Sequence, residues 1–207
     1  MQTDFIPKLL NGYKAAAGGV AFNVREDTSI PLVKDLLSGC YDVVFCAKGN
    51  EDPDLAYVPV LTQKVVVAMS SDCPLVEKEF VTPTDLLEQH LITYVDTIPL
   101  GRAVRRMLDE CGIKNVEYSY LDESILAGFA ANGVEAAVML DTFLLRSVDD
   151  VVVRPFYPSA LDRRSCHHRV YMAYSTKNYH PYRVDHFIQH VIETKALKPD
   201  PNACYID

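Results

Sequence analysis

Residues 121–141 read LDESILAGFAANGVEAAVMLD, and the change of period inside them sets the fold class. Asp122, Glu123 and Ser124 supply a helix start, Ile125, Leu126, Phe129 and Ala130 share one face, and Asn132-Gly133 stops the helix. Glu135 to Leu140 follows as a run of small and β-branched residues, which suits a buried strand. A strand entering a helix N-terminus, with a second strand behind it, is how an open α/β sheet builds a small-ligand site, because the first turn's free amides favour negative charge. Taken alone, the same stretch is also an ordinary strand–helix–strand unit of a core. Its neighbours carry the decision.

Downstream, residues 141–147 predict a short helix, Val151 to Phe156 an edge strand marked by Arg154 and Pro155, and Pro158 to His168 a polar loop. The strand Arg169 to Tyr174 and a last helix, Tyr182 to Leu197, come next. Pro199 and Pro201 open a loose tail. Upstream lie the strand Val116 to Leu121, a helix Leu100 to Cys111 ended by Gly112, the strand Leu91 to Val95 and a short helix Thr84 to Gln89. Arg102, Arg105 and Arg106 fall on the outer face of the longer helix.

The first seventy residues repeat this alternation. A helix capped by Thr3 or Asp4 carries Phe5, Ile6, Leu9, Leu10 and Tyr13 and ends at Gly18-Gly19. The expected elements after it are a strand Val20 to Arg25, a helix from Thr28-Ser29 to Gly39, and a strand Tyr41 to Ala47. Two more strands, Leu55 to Leu61 and Lys64 to Met69, precede a serine- and aspartate-rich break, where the chain is expected to cross into a second lobe. The expected division is a first lobe of residues 1–70 with 175–207 and a second of 71–174.

Composition narrows the classes. The 207 residues are 49% hydrophobic and 23% charged with a net charge of −8, so the chain folds as a globular protein and lacks the basic excess that extended nucleic-acid contact requires. Cys40, Cys46, Cys73, Cys111, Cys166 and Cys204 form no CxxC, which reads as scattered thiols of a reducing compartment. MQTDFIPKLL is not a signal peptide, and no run approaches the ~18 apolar residues of a membrane span. The expectation is a cytoplasmic protein without membrane contact. Cys166-His167-His168 invites a metal, but adjacent ligands rarely close on one ion, and a loop is the better reading. No GxSxG, HExxH or glycine-rich phosphate loop is present, so neither catalytic residues, metal nor cofactor is expected.

The order of TDFIPKLLNGY, LVKDLLSGCYDVVFCAKG, YVPVLTQKVVVAMSSDCPL, PTDLLEQHLITY, LAGFAANGVEAAVML and RVYMAYS resembles the effector-binding domain of LysR-type transcriptional regulators over nearly the whole chain. The resemblance implies an α/β fold of the periplasmic-binding-protein-like type 2: two Rossmann-like lobes joined by two crossover strands. It also implies a small-molecule effector in the cleft between them, a carboxylate or an amino acid fitting best, and a homodimer in which the first and last helices take part. DNA would be contacted only through a helix-turn-helix head that residues 1–207 do not contain; the family's first strand would also precede Thr3. Where the family usually has a proline after the Ala-Gly helix and its strand, Asp141 stands here.

The cleft residues that the resemblance implies are Gln2, Thr3, Lys48, Tyr94, Asp96, Thr97, Glu123, Ser124 and Phe156. Hydroxyls beside unpaired helix amides make a compact pocket for an acidic group, yet Thr3, Thr97 and Ser124 are equally ordinary caps, Lys48 an ordinary solvated strand end, and Phe156 plain core. Asp96 and Glu123 suit an amine or a polyol, or point away. Two rival readings share the fold: a stand-alone solute-binding protein, which calls for a signal peptide, and an enzyme on a bilobal scaffold, such as a prephenate dehydratase, which calls for a catalytic motif.

Overall fold

The computed structural model describes residues 4–159, 164–198, 200 and 203–206. The chain divides into two compact units, residues 1–61 with 170–198, and residues 62–169 with 199–207.

In the first unit, α1 (Phe5–Ala17) and α6 (Tyr182–Lys195) turn their apolar stripes into one core. Leu9 and Tyr13 of α1 pack with Phe187, Ile188 and Val191 of α6 and with Val60 and Met172. The Tyr13 hydroxyl meets His186 Nδ1 at 2.8 Å. Both stripes thus contribute to this core. Residues 20–25 are not a strand: Val20 and Phe22 alternate onto the same cluster as a strand's residues would, but the segment joins no ladder. α2 (Ser29–Leu37) ends where Gly39 takes φ 80° and lets the Cys40 amide bond back to the Asp35 carbonyl at 2.9 Å, a left-handed closure that residues with a Cβ resist. Leu36 then packs on β1 (Val44–Cys46), shorter than the expected 41–47, which pairs antiparallel with β7 (Cys166–Ser175).

The largest departure from the sequence reading is β2, one strand of 16 residues, Leu55–Ser70, where two were expected. Thr62-Gln63 is polar but contains no turn former, so extended backbone simply continues through it. The outward passage between units thus falls at 61/62 inside β2 rather than after Ser70, and the return at 169/170 inside β7 rather than near 175.

The second unit's sheet runs in the order β6-β2-β5-β3-β4. Its members are β3 (Leu91–Tyr94), β4 (Val116–Tyr120), β5 (Ala136–Leu140) and β6 (Val151–Pro155), with the second half of β2. β3 is parallel to both β4 and β5, while β2 is antiparallel to β5 and β6. A short helix α3 (Pro83–Leu86) is closed by a reciprocal cap between Thr82 and Asp85. α4 (Pro99–Glu110) buries Ala103, Val104, Met107 and Leu108, leaving Arg102, Arg105 and Arg106 exposed as expected. α5 (Glu123–Ala131) buries Leu126, Ala127 and Ala130, and Gly133 at φ 67° turns the chain into β5.

Two expectations about the end of the chain fail. Cys166-His167-His168 lies in β7, with Cys166 and His168 buried, and not in a loop. The tail is not loose throughout: β8 (Cys204–Tyr205) pairs in parallel with Cys166 and His167, so it belongs with the second unit rather than the first. Among the described residues no helix is long and apolar enough to cross a membrane.

Candidate ligand-binding site

Parallel β3, β4 and β5 end together at Tyr94, Tyr120 and Leu140, and α4 and α5 begin at that end. Val95 is stitched to β4 by its amide, which donates to the Tyr120 carbonyl at 2.8 Å. Chain geometry alone therefore brings two helix N-termini to one margin of the second unit's sheet.

The two starts differ in what already occupies them. At α5 the Asp122 side chain accepts from the Ser124 amide at 2.7 Å, and the Ser124 hydroxyl also bonds this carboxylate. These bonds hold Asp122 below the usual carboxylate range. Ser124 is thus turned onto its own cap, and the positive end of α5 carries its own anion. At α4 no side chain caps the first turn; Pro99 opens it and Thr97 stands exposed just before it. Gly101 makes this start possible. A Cβ there would lie 1.9 Å from the Val95 carbonyl oxygen and 2.6 Å from its carbon, so the incoming chain can fold against the helix only over a residue without a side chain.

At the α5 start a buried tyrosine meets a half-buried carboxyl. Tyr94 is 1% exposed; its hydroxyl accepts from the Leu140 amide at 3.0 Å and donates to Glu123 at 3.4 Å. Burial raises the Glu123 carboxyl above its ordinary value, with the Tyr94 hydroxyl bond pulling the other way. A carboxyl whose folded value is raised favours the protonated form on folding, so its contribution to stability is greatest below the ordinary value and is lost as pH rises through the raised one. Glu123→Gln is accordingly expected to gain more stability over wild type near pH 7 than near pH 4, read by urea unfolding at both. A difference that does not change with pH contradicts it.

Of the other expected residues, Asp96 is neutralised by an ion pair with Arg105, whose guanidinium also lies 5.3 Å from the centre of the Tyr118 ring. Lys48 belongs to the first unit, paired with Glu51 at 2.9 Å and lying over Tyr57. Phe156 is a correction: at 0% exposure it is wholly inside the core and offers no surface to a ligand. Gln2 and Thr3 lie outside the described residues. Of the expected residues, the structure bonds Tyr94 to Glu123 and turns Ser124 onto Asp122, while Thr97 stands before α4 at the same end of the sheet, where Gly101 lets the chain fold in. A Pro-Leu-Gly opening to a helix is the trace that Gly101 leaves in the sequence.

At the opposite margin of the sheet, where β3 and β5 begin, Ser70, Asp72, Gln89, His90, Asn132 and Glu135 line an open groove of about 930 Å³. Among the described residues, His90, Glu117 and Glu135 have donor atoms close enough to share a metal ion, and His90 Nδ1 already meets Glu135 at 2.7 Å. This groove is polar and solvent-facing and stands apart from the helix starts.

Comparison with known proteins gives the fold a family. The family described as LysR substrate binding domain matches residues 1–196. Among solved structures, the effector binding domain of QuiR in complex with shikimate superposes with a TM-score of 0.83 over 93% of this chain and 91% of that one, at 16% identity. The C-terminal domain of a probable LysR family regulator from Rhodococcus sp. RHA1 gives 0.73 over 91% and 92%, at 22% identity. HinK, a LysR family regulator from Pseudomonas aeruginosa, gives 0.76 over 92% of this chain but 65% of its own, at 17% identity. The uncharacterized HTH-type transcriptional regulator YybE of Bacillus subtilis (strain 168) is 20% identical over 140 residues. The chain spans about half the length of that relative, 48%. The two-unit division, the paired helix starts and a match across residues 1–196 agree, and the chain belongs to the LysR substrate-binding domain family.

Proposed function

We propose that this chain is the small-molecule sensing part of a LysR-type transcriptional regulator, and that an acidic group of the effector is held at the first turn of α4. The observation that carries this reading is the uncapped start of α4 beside exposed Thr97, set against an α5 start that Asp122 already neutralises. An anion brought to α4 meets amide dipoles that no side chain caps. The Tyr94–Glu123 pair at the α5 start favours hydroxyl or amine groups on the same ligand, since the Glu123 carboxyl oxygens can accept from them. A hydroxylated carboxylate combines both features, and the QuiR domain was solved with such a molecule, shikimate.

Function here is binding without turnover. The effector acts by preferring one arrangement of the full regulator over another, because equal affinity for two states shifts neither. DNA contact belongs to a helix-turn-helix head, as in the relative described as an HTH-type regulator. Homodimerisation through this domain and a cytoplasmic location complete the proposal.

A thermal-shift screen of hydroxylated carboxylates, amino acids and aromatic acids, with shikimate as first probe, tests the reading. A ligand at a hundred times its dissociation constant adds ~2.7 kcal/mol of stability. Thr97→Val is expected to remove most of that gain while the unliganded protein still unfolds cooperatively. A gain that survives Thr97→Val places the ligand elsewhere; turnover of any probe supports the enzyme reading instead.

A further inference from the structure

We propose that Cys166 and Cys204 are a redox-reversible pair whose disulfide fastens the C-terminal segment to β7. The two residues are direct partners in the parallel β7–β8 ladder, and their sulfurs lie 3.0 Å apart. Neighbouring strands run ~4.8 Å apart, inside the Cα separation a disulfide tolerates, so closing the bond to ~2.0 Å asks for side-chain movement only. The surroundings hold the segment in that register. The Ile206 amide donates to the His167 carbonyl at 3.0 Å, and the Arg169 guanidinium lies 4.3 Å from the centre of the Tyr205 ring.

The two sulfurs are not equivalent. Cys166 is 1% exposed and Cys204 partly exposed, so an incoming reagent reaches Cys204 first. Burial, reinforced by the neighbouring thiols, pushes Cys166 far up, so Cys204 is the sulfur that attacks first. With a low-molecular-weight disulfide of the glutathione class as oxidant, the Cys204 thiolate attacks one reagent sulfur and expels one thiolate. Cys166 then attacks the Cys204 sulfur, expels the second reagent thiolate and passes its proton to it. Two protein thiols become one disulfide and one reagent disulfide becomes two thiols, so electrons and protons balance.

Cys40 is exposed and Cys73 partly exposed, so either can take up glutathione singly; Cys46 is buried, and Cys111 faces the Pro158 carbonyl. No pairing of this kind was expected from spacing, because 38 positions separate Cys166 from Cys204 and only the strand register brings them together.

The test uses the whole 207-residue protein, incubated with glutathione disulfide, alkylated, and mapped by peptide mass spectrometry without reduction. The expected result is a cross-link joining the Cys166 and Cys204 peptides, with both of those thiols lost to alkylation, and reversal by dithiothreitol. Hydrogen exchange at the Ile206 amide is expected to slow at least about tenfold on oxidation, since a tether raises the free energy of local opening. Cys204→Ser abolishes the cross-link and Cys111→Ser leaves it. Persistent glutathione on Cys204 alone, a Cys204–Cys111 bond, an intermolecular bond, or no reaction under these conditions overturns the proposal.

Discussion

Gly101→Ala is expected to destabilise the protein by about 3 kcal/mol, the upper end of what forced overpacking costs, although alanine is the better helix former. A methyl group at this position has to occupy space 1.9 Å from the Val95 carbonyl oxygen, and the obstacle is backbone, which no rotamer change relieves. Relief comes only by pushing the 95–98 turn away from α4, and Thr97 lies on that turn. The same substitution at Gly128, in α5, meets nothing within 4 Å and is expected to stabilise by roughly 0.5–1 kcal/mol. Denaturant midpoints of the two variants, measured side by side, check the contrast. Equal midpoints for Gly101→Ala and wild type would mean the turn is not held against the helix. Loss of effector response in Gly101→Ala beyond its loss of stability is the further expected result.

The second large effect is expected at Tyr94. Removing its hydroxyl in Tyr94→Phe leaves the buried Leu140 amide without its 3.0 Å acceptor and half-buried Glu123 without its donor. An orphaned buried amide costs about 1–3 kcal/mol, so the variant is expected to lose ~2 kcal/mol by urea unfolding, with an unchanged m-value. A loss below about 0.5 kcal/mol would show that water reaches Leu140 after all. Because Tyr94 links the end of β3, the end of β5 and the start of α5, effector affinity is expected to fall in parallel.

Much of this architecture was legible in the letters where local chemistry and burial agree. Residues 121–140 announce themselves because an acidic cap, a one-sided apolar helix, Asn-Gly and a β-branched run follow in order, and the structure returns helix Glu123–Ala131 and strand Ala136–Leu140. The helix Pro99–Glu110, with its arginines outward, was equally plain. Errors arose where structure depends on partners distant in sequence. Residues 20–25 have a strand's alternation but no neighbour to pair with, and Thr62-Gln63 looked like a break although nothing in it bends the chain. Cys166-His167-His168 read as polar loop because its burial is supplied by β8 and by β7's neighbours.

The candidate site was legible in outline and not in detail. Helix starts point to Thr97 and Ser124 as a pair, yet only coordinates show Ser124 spent on Asp122, and Asp96 on Arg105. Phe156 was a reasonable wall residue by type and is core by position. Gly101 passed unnoticed because a close backbone approach leaves no periodic signature.

The margins of the second unit's sheet have a bearing on how the protein behaves when crowded. Among the described residues, β4 pairs only with β3, and β6 pairs in ladder only with β2; each is five residues long. One ends in Pro155, which cannot donate a ladder bond, and the other is thrown out of step by an irregularity between Thr93 and Tyr94. Neither rim presents a long straight template onto which a stray polypeptide could add. Growth of the sheet by recruitment, the usual first step toward fibrils, is therefore disfavoured at both sides by these short strands.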